Sequence, residues 1–329
     1  MRTTLDGRFS TSMRTDSDAG TREAMGACTF CGATALHVIA RELYHPRAAD
    51  HGPVSIHVCD ACGSMGTWPV PSGDALQRLY ATFDEGIDPT LRRLRIDSPP
   101  TAWYLRAMRR AAHVAGLARD SAFTWMDIGA GAGEIGRLLN QEFSNTSGLS
   151  IDWHGRPAKL AADPRHDWMA CDLNAPRFAR GVGAQADLVL ALSVWEHVRD
   201  PEDFAREVSS LVKPGGTLYL VCPDFGSASA RVLGRRWPYW IPGEHLSVPT
   251  RRGARICLEH AIAATGMDAS VFVRRVGIPY PLGYVLSYLG LPALGRLLRG
   301  VPAFPLPVGA LEAGFTRLRT ARLTADDRR

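Results

Sequence analysis

From residue 122 onward the chain alternates short β-rich runs with helical stretches, and that rhythm leaves few architectures open. The runs fall at residues 123–128, 149–152, 168–171, 187–192, 217–222 and 270–274, with a last strand expected within 313–323. Alternation of this kind predicts an α/β fold built on a doubly wound, mostly parallel sheet. The first run passes straight into Trp125-Met-Asp-Ile-Gly129-Ala-Gly131-Ala-Gly133-Glu, with a helix expected from about Glu134. Glycines at a strand-to-helix turn let the backbone pass tightly beneath a ligand, with the helix N-terminus beyond it. The loop alone leaves two ligands open. Gly131-Ala-Gly133-Glu-Ile-Gly136 also satisfies the dinucleotide fingerprint, and Asp152 stands about where that fingerprint expects its acid.

Three further features separate the two. Asp127 sits two residues before Gly129 at the strand end, where a carboxylate suits a cationic ligand better than a pyrophosphate. Asp187-Leu-Val-Leu-Ala-Leu-Ser193-Val-Trp-Glu196-His197 reads as a buried strand that ends in an acid–imidazole pair. Leu211-Val-Lys213-Pro214-Gly215-Gly216-Thr-Leu-Tyr-Leu closes one helix and turns into the next strand. With these motifs in this order, residues 120 to 275 resemble the class I S-adenosylmethionine-dependent methyltransferases. The likeness is closest to bacterial members of the type that includes the ubiquinone-biosynthesis O-methyltransferases. It implies a Rossmann-like, seven-stranded sheet that takes S-adenosylmethionine. The resemblance assigns Asp127 to the methionine amino group, and Gly129, Gly131 and Gly133 to the methionine part and ribose. Asp172 and Leu173 fall beside the adenine, and Ser193 joins the same set. Ser150 stands where the family usually carries the acid for the ribose hydroxyls, with Asp152 two residues on as its substitute.

Ahead of this region lie Cys28-Thr-Phe-Cys31 and Cys59-Asp-Ala-Cys62, with 27 residues between the pairs. The β-prone segments 35–39 and 54–58 place each pair beside a strand, so a hairpin can gather four thiolates. Tetrahedral sulfur ligation is the geometry of a structural zinc site. Gly32 and Gly63 each follow a second cysteine, where a positive φ helps close the knuckle. Four thiolates leave no open position, so Zn2+ here is expected to hold the fold and take no part in catalysis. His45 and His51 read as ordinary loop residues, and Cys171, Cys222 and Cys257 as structural. The ribbon, with Pro69, Pro71 and Leu79-Tyr80, looks like the leader of many bacterial methyltransferases of surface-glycan and natural-product pathways. Gly234-Arg-Arg-Trp237 and Glu244-His245-Leu246 are similar to the same group.

The 329 residues divide accordingly. A polar leader (1–25) is expected to be disordered. It precedes the zinc ribbon (26–70), a helical connector (71–120) with helices near 74–83 and 101–118, and the cofactor-binding domain (121–275). Enlarged loops at 223–250 and 276–312 are expected to cap the acceptor side, and a tail follows at 324–329. The leader lacks the apolar core of a secretory signal. The longest uncharged run, 276–295, is broken by Pro279, Pro281, Pro292 and four glycines, so no spanning helix is expected. A cytoplasmic protein with reduced thiols follows.

A sulfonium methyl group is already activated, so the enzyme's task is alignment, worth effective molarities of about 10⁵ to 10⁸ M. A hydroxyl acceptor must also lose a proton, and a positioned base adds roughly 10²- to 10⁴-fold. His197 is the first candidate base, with Glu196 to orient it or bind cofactor, and His245 beside Glu244 is the second. Phe225, Trp237, Tyr239, Trp240, Tyr280, Tyr284 and Tyr288 in the two enlarged loops suggest a lid. Residues 226–329 carry 15 arginines against six acids, a net of +9. That charge suits a phosphate- or nucleotide-linked sugar, or an anionic bilayer touched through 276–300 at the inner membrane face. A small-molecule, glycan-linked or lipid-linked hydroxyl is the expected acceptor. N- or C-methylation, RNA methylation, nicotinamide-dependent oxidation and cofactor binding without catalysis remain the alternatives. Nucleic acid is disfavoured, because residues 21–80 hold four arginines and five acids and a ribbon without a basic face binds phosphates poorly.

Overall fold

The computed structural model describes residues 26–45, 52–81, 99–158, 160, 162–280, 282–283, 286, 291–298, 301 and 304–319. The expected leader and tail, His51, Tyr284, Tyr288 and the side chain of Tyr280 lie outside the described residues. In chain order the ribbon contributes β1 (Leu36–Leu43), β2 (Val54–Cys59) and β3 (Met65–Trp68), followed by α1 (Gly73–Ala81) and α2 (Pro99–Val114). Then come β4 (Phe123–Ile128), α3 (Glu134–Glu142), β5 (Thr146–Asp152), β6 (His166–Ala170), α4 (Phe178–Val182), β7 (Ala186–Leu192), α5 (Pro201–Ser210) and β8 (Val212–Pro223). The chain closes with α6 (Ala228–Leu233), β9 (Ser247–Val248), α7 (Arg251–Thr265), β10 (Ala269–Tyr280), α8 (Pro292–Leu297) and β11 (Phe304–Arg317).

Seven strands form the main sheet in the order β10-β11-β8-β7-β4-β5-β6. β4 through β8 pair in parallel, and β11 runs antiparallel to both of its neighbours. The sheet is therefore mixed, with helices on both faces. The continuous apolar run of β7 follows from that burial. Leu188, Leu190 and Leu192 pack with Met108 of α2 and Leu139 of α3 on one face. Val189 and Ala191 pack with Phe204 of α5 and Leu258 of α7 on the other. Asp200 caps α5 by accepting from the Glu202 and Asp203 amides, with Pro201 preset in the first turn.

The centres of β4 through β8 fall where the alternation put them, but several ends differ, and β11 begins nine residues before the expected 313. β10 and β11 form a hairpin long enough to absorb residues 276–280 and 304–312 of the expected second cap. Pro305 and Pro307 disguised that extension. Residues 304–306 pair with β10 alone, 307–309 lie in a register shift, and pairing with β8 begins at Ala310; edges and bulges tolerate proline. The ribbon is also larger than a hairpin. It is a four-stranded sheet in the order β1-β2-β3-β9, whose last strand comes from the loop after β8. Among the described residues no helix is long and apolar enough to cross a membrane.

Candidate active site

The strand order reverses at β4, between β5 on one side and β7 on the other. Open α/β sheets bind ligands in the crevice beyond such a reversal. The glycine loop lies there. Gly129, Gly131 and Gly133 have φ of 71°, 53° and 76°. A Cβ on Gly129 would stand 2.4 Å from Val194 Cγ2, on the loop after β7, so this position has neither the room nor the backbone conformation for a side chain. Asp127, two residues earlier on β4, is buried and its Oδ2 has no hydrogen-bond partner. Burial, reinforced by the charge of Asp152, pushes its carboxyl up to about 7.

Asp152 ends β5. Its Oδ2 accepts from the Gly131 amide at 2.9 Å and its Oδ1 from the His154 amide at 3.1 Å. Ser150 lies one full pleat deeper and is completely buried, with its hydroxyl 2.8 Å from His166 Nε2. Ser150 is thus engaged within the fold by His166, while Asp152, the substitute named beside it, stands at the end of β5, where the expected strand also closed. Ser193 closes β7 at φ 55°, exposed, with its amide donating to the Val221 carbonyl at 2.8 Å. A non-glycine residue in that conformation is strained and is found mostly at functional sites. Asp172 and Leu173 follow β6 on the same edge; Asp172 is exposed and accepts from the Asn174 amide at 2.9 Å. Tyr104 of α2 was not anticipated. Burial first, then the charges of Asp127 and Glu134, raise its phenol.

A second group sits past β7. Glu196, His197 and His245 each offer a ligand atom within 4.8 Å of the others. Glu196 Oε1 is 4.0 Å from His197 Nε2, while Glu196 Oε2 and His197 Nδ1 are buried without partners. Burial, with the charge of Glu244 acting in the same direction, pushes Glu196 up to about 8. Burial likewise lowers His197. The two imidazoles meet edge to face at 4.8 Å between centroids. His245 Nδ1 donates to the Tyr239 carbonyl at 2.8 Å, and burial followed by the neighbouring His197 holds His245 down to about 3.

Two residues the sequence reading passed over complete this group. His45 Nε2 lies 3.1 Å from Glu244 Oε2, both largely buried, so His45 is a bridge between ribbon and insertion and not an ordinary loop residue. Burial opposes ionisation of Glu244, but that hydrogen bond and the charges of His197 and His245 draw it down to about 2. Tyr80 of α1 packs edge-on against His197 at 6.1 Å and lies 6.3 Å from Trp153 beyond β5. Only the fold brings these residues together, since 117 positions separate Tyr80 from His197.

Residues 101–261 match a family model described as a methyltransferase domain. The chain carries a class I S-adenosylmethionine-dependent methyltransferase domain. The ubiquinone biosynthesis O-methyltransferase of Pseudomonas aeruginosa (strain UCBPP-PA14) is 31% identical over 103 residues, 29% of this chain and 42% of that protein. The protein of the same description from Erwinia tasmaniensis is 29% identical over 103 residues, 29% of this chain and 40% of its own. The chain thus spans about two fifths of the length of these curated relatives. Among solved structures, a plantazolicin methyltransferase in complex with SAH is 16% identical with a TM-score of 0.49, over 74% of this chain and 94% of that one.

The methyltransferase domain is tied to the ribbon through the insertion after β8. The Leu246 amide donates to the Glu196 carbonyl and the Thr67 amide to the Leu246 carbonyl, both at 2.7 Å. Trp237 is buried among Ile56, Met65 and Val248, with Phe225, Tyr239 and Trp240 packed around it. These four of the expected lid aromatics form a core between ribbon and insertion. All four ribbon thiols are unoxidised, and Cys28–Cys62 and Cys31–Cys59 are each 3.6 Å apart at sulfur. A tetrahedron with about 2.3 Å metal–sulfur bonds has edges of about 3.8 Å. The cluster of Cys28, Cys31, Cys59 and Cys62 therefore fits a closed four-thiolate metal site. The loop beside Asp127 fits a ligand that brings a cation. A pyrophosphate there would face Asp127 and Asp152 together.

Proposed function

We propose that this chain transfers a methyl group from S-adenosylmethionine to a hydroxyl of a sugar, a glycan-linked acceptor or a small natural product. The observation that carries the reading is the buried, unpartnered Oδ2 of Asp127 beside a loop too tight for side chains. An α-ammonium group supplies the missing partner, and charge-assisted bonds of this kind are among the stronger ones. In this reading the backbone of Gly129, Gly131 and Gly133 lies against the methionine part and ribose. Asp152 holds the ribose hydroxyls with the lone pairs not used by the Gly131 and His154 amides. Asp172 and Leu173 flank the adenine, and Ser193 borders the reacting end.

When bound, the sulfonium supplies an electrophilic methyl and leaves as a neutral thioether. The chain's own residues align the acceptor and remove its proton. His197 is kept neutral by burial and has one imidazole nitrogen, Nδ1, without a partner. In the proposed transfer the acceptor O–H bond breaks, its proton goes to Nδ1, and the oxygen takes the methyl. Glu196 stands behind His197 Nε2 at 4.0 Å, and an imidazolium formed beside it would favour its ionised form. His245, locked by its bond to Tyr239, is the second candidate base of the same group. Zn2+ in the four-cysteine cluster would brace the ribbon that carries His45, which fixes Glu244 and through it this corner of the site.

Calorimetry with S-adenosylmethionine and with NAD tests the cofactor; affinity for NAD with none for the sulfonium would overturn the reading. Transfer of labelled methyl to a panel of sugar and phenol hydroxyls, read with His197→Ala, tests the base. Turnover is expected to fall by about 10² or more while cofactor affinity changes little.

A further inference from the structure

Away from the glycine loop, a cavity of about 700 Å³ opens where the ribbon, α6, the start of α7 and β10 converge. Its walls hold five arginines, Arg231, Arg251, Arg252, Arg255 and Arg275, and no acidic side chain. Phe225 offers an apolar surface and the Cys62–Gly63 turn forms part of the floor. Two of the five guanidiniums are engaged: Arg275 with buried Asp224 at 2.6 Å, and Arg255 with exposed Glu259 at 3.5 Å. Among the described residues no ion pair engages Arg231, Arg251 or Arg252. Like charges gathered round one cavity repel one another, and an anion removes that repulsion. Guanidinium groups hold phosphate oxygens in pairs, with geometry that lysine lacks. The backbone agrees: Arg251 and Arg252 open a 15-residue helix whose first turn adds its own positive end.

We infer that this cavity is a binding site for a phosphate-bearing small molecule of nucleotide or sugar-phosphate size. Arg251, Arg252 and Arg231 grip the phosphate, and Phe225 covers an apolar or ring portion. The volume lies within the range of small-molecule sites, and a single inorganic ion would fill little of it. Arg275 is held rigid by Asp224, which also accepts from the Gly226 amide at 2.9 Å, so one wall is fixed before a ligand arrives. The site stands apart from the glycine loop and does not depend on the methyl-transfer reading. It shares one chain segment with the second group, because Thr250 on its wall is five residues from His245. The Cα atoms of Thr250 and His245 can be at most about 18 Å apart, which is close enough for a ligand held here to be the phosphorylated end of the acceptor; otherwise it is a separate anion.

The test uses the full chain with inorganic pyrophosphate and uridine diphosphate as probes, followed by calorimetry and thermal unfolding. Both probes are expected to bind and raise the melting temperature, with uridine diphosphate tighter. The double substitution Arg251→Ala/Arg252→Ala is expected to weaken both at least tenfold and leave affinity for S-adenosylhomocysteine unchanged. Arg109→Ala, which removes an exposed arginine of α2, is expected to change neither. Equal loss of probe binding in both variants would mean general surface charge and would overturn the inference, as would no binding at all. With a methyl acceptor in hand, competitive inhibition by uridine diphosphate marks the cavity as the acceptor's phosphate subsite. Binding without competition marks it as a separate anion site, and either result supports the pocket.

Discussion

Replacing Asp127 by asparagine separates the charge of this residue from its shape. In the ligand-free chain the carboxyl rises from its usual 3.8 to about 7, through burial first and the charge of Asp152 second. At 1.36 kcal/mol per pH unit, that corresponds to at most about 4 kcal/mol between the two protonation states. The folded value lies above the unfolded one, so folding is favoured by this group below about pH 4, and that advantage is lost as pH rises through about 7. Asp127→Asn is therefore expected to match the wild type near pH 4 and to melt higher at pH 8. At about 2–4 °C per kcal/mol for a chain of this class, the gain is several degrees. Ligand binding moves the opposite way. The ionised carboxylate is the form that pairs with an ammonium, so wild-type affinity for S-adenosylhomocysteine is expected to tighten between pH 5 and 7, where an α-amino group stays protonated. Losing a charged hydrogen bond of about 1.5–3 kcal/mol weakens binding about 10- to 100-fold in the variant. Thermal unfolding across pH with parallel calorimetry reads both effects. Identical pH slopes in the two proteins, or unchanged affinity, would refute the argument that Asp127 is an uncompensated charge awaiting a cation.

Other substitutions probe the remaining parts. Ser150→Ala is expected to leave S-adenosylhomocysteine affinity within about twofold while costing about 1–3 kcal/mol of stability, since His166 Nε2 would be left buried without its partner; a calorimetric loss of affinity would return Ser150 to the cofactor site. Gly129→Ala should abolish cofactor binding because its Cβ meets Val194 Cγ2 at 2.4 Å, and adding Val194→Ala should restore part of it; equal binding by both variants would count against the close approach. Cys31→Ser should lower the bound zinc measured by elemental analysis and loosen the insertion, seen as faster hydrogen exchange at the Leu246 amide; full metal content and unchanged exchange would separate ribbon from site.

Much of this molecule is legible in its sequence. The centres of β4, β7 and β8, the glycine turn and the paired cysteines are local features. A strand buried on both faces must be continuously apolar, and a backbone with φ above zero beneath a ligand must be glycine. Each therefore marks the sequence directly. Chain ends of elements were less legible, because the pairing that extends β11 past Pro305 lies with a strand 26 residues away across the hairpin. The partner of a buried side chain was also hidden: only the tertiary structure shows Ser150 engaged by His166 of β6.

The sequence by itself determined the fold class, the cofactor loop and the thiol cluster, since each depends on spacing within one segment. The tertiary structure decided which residues meet. It joined the loop after β8 to the ribbon, set His45 against Glu244 and Tyr80 against His197, turned the insertion's aromatics into a core, and gathered five arginines from three elements around one cavity. Contacts between distant segments are selected by the packing of the whole chain, so no local pattern records them.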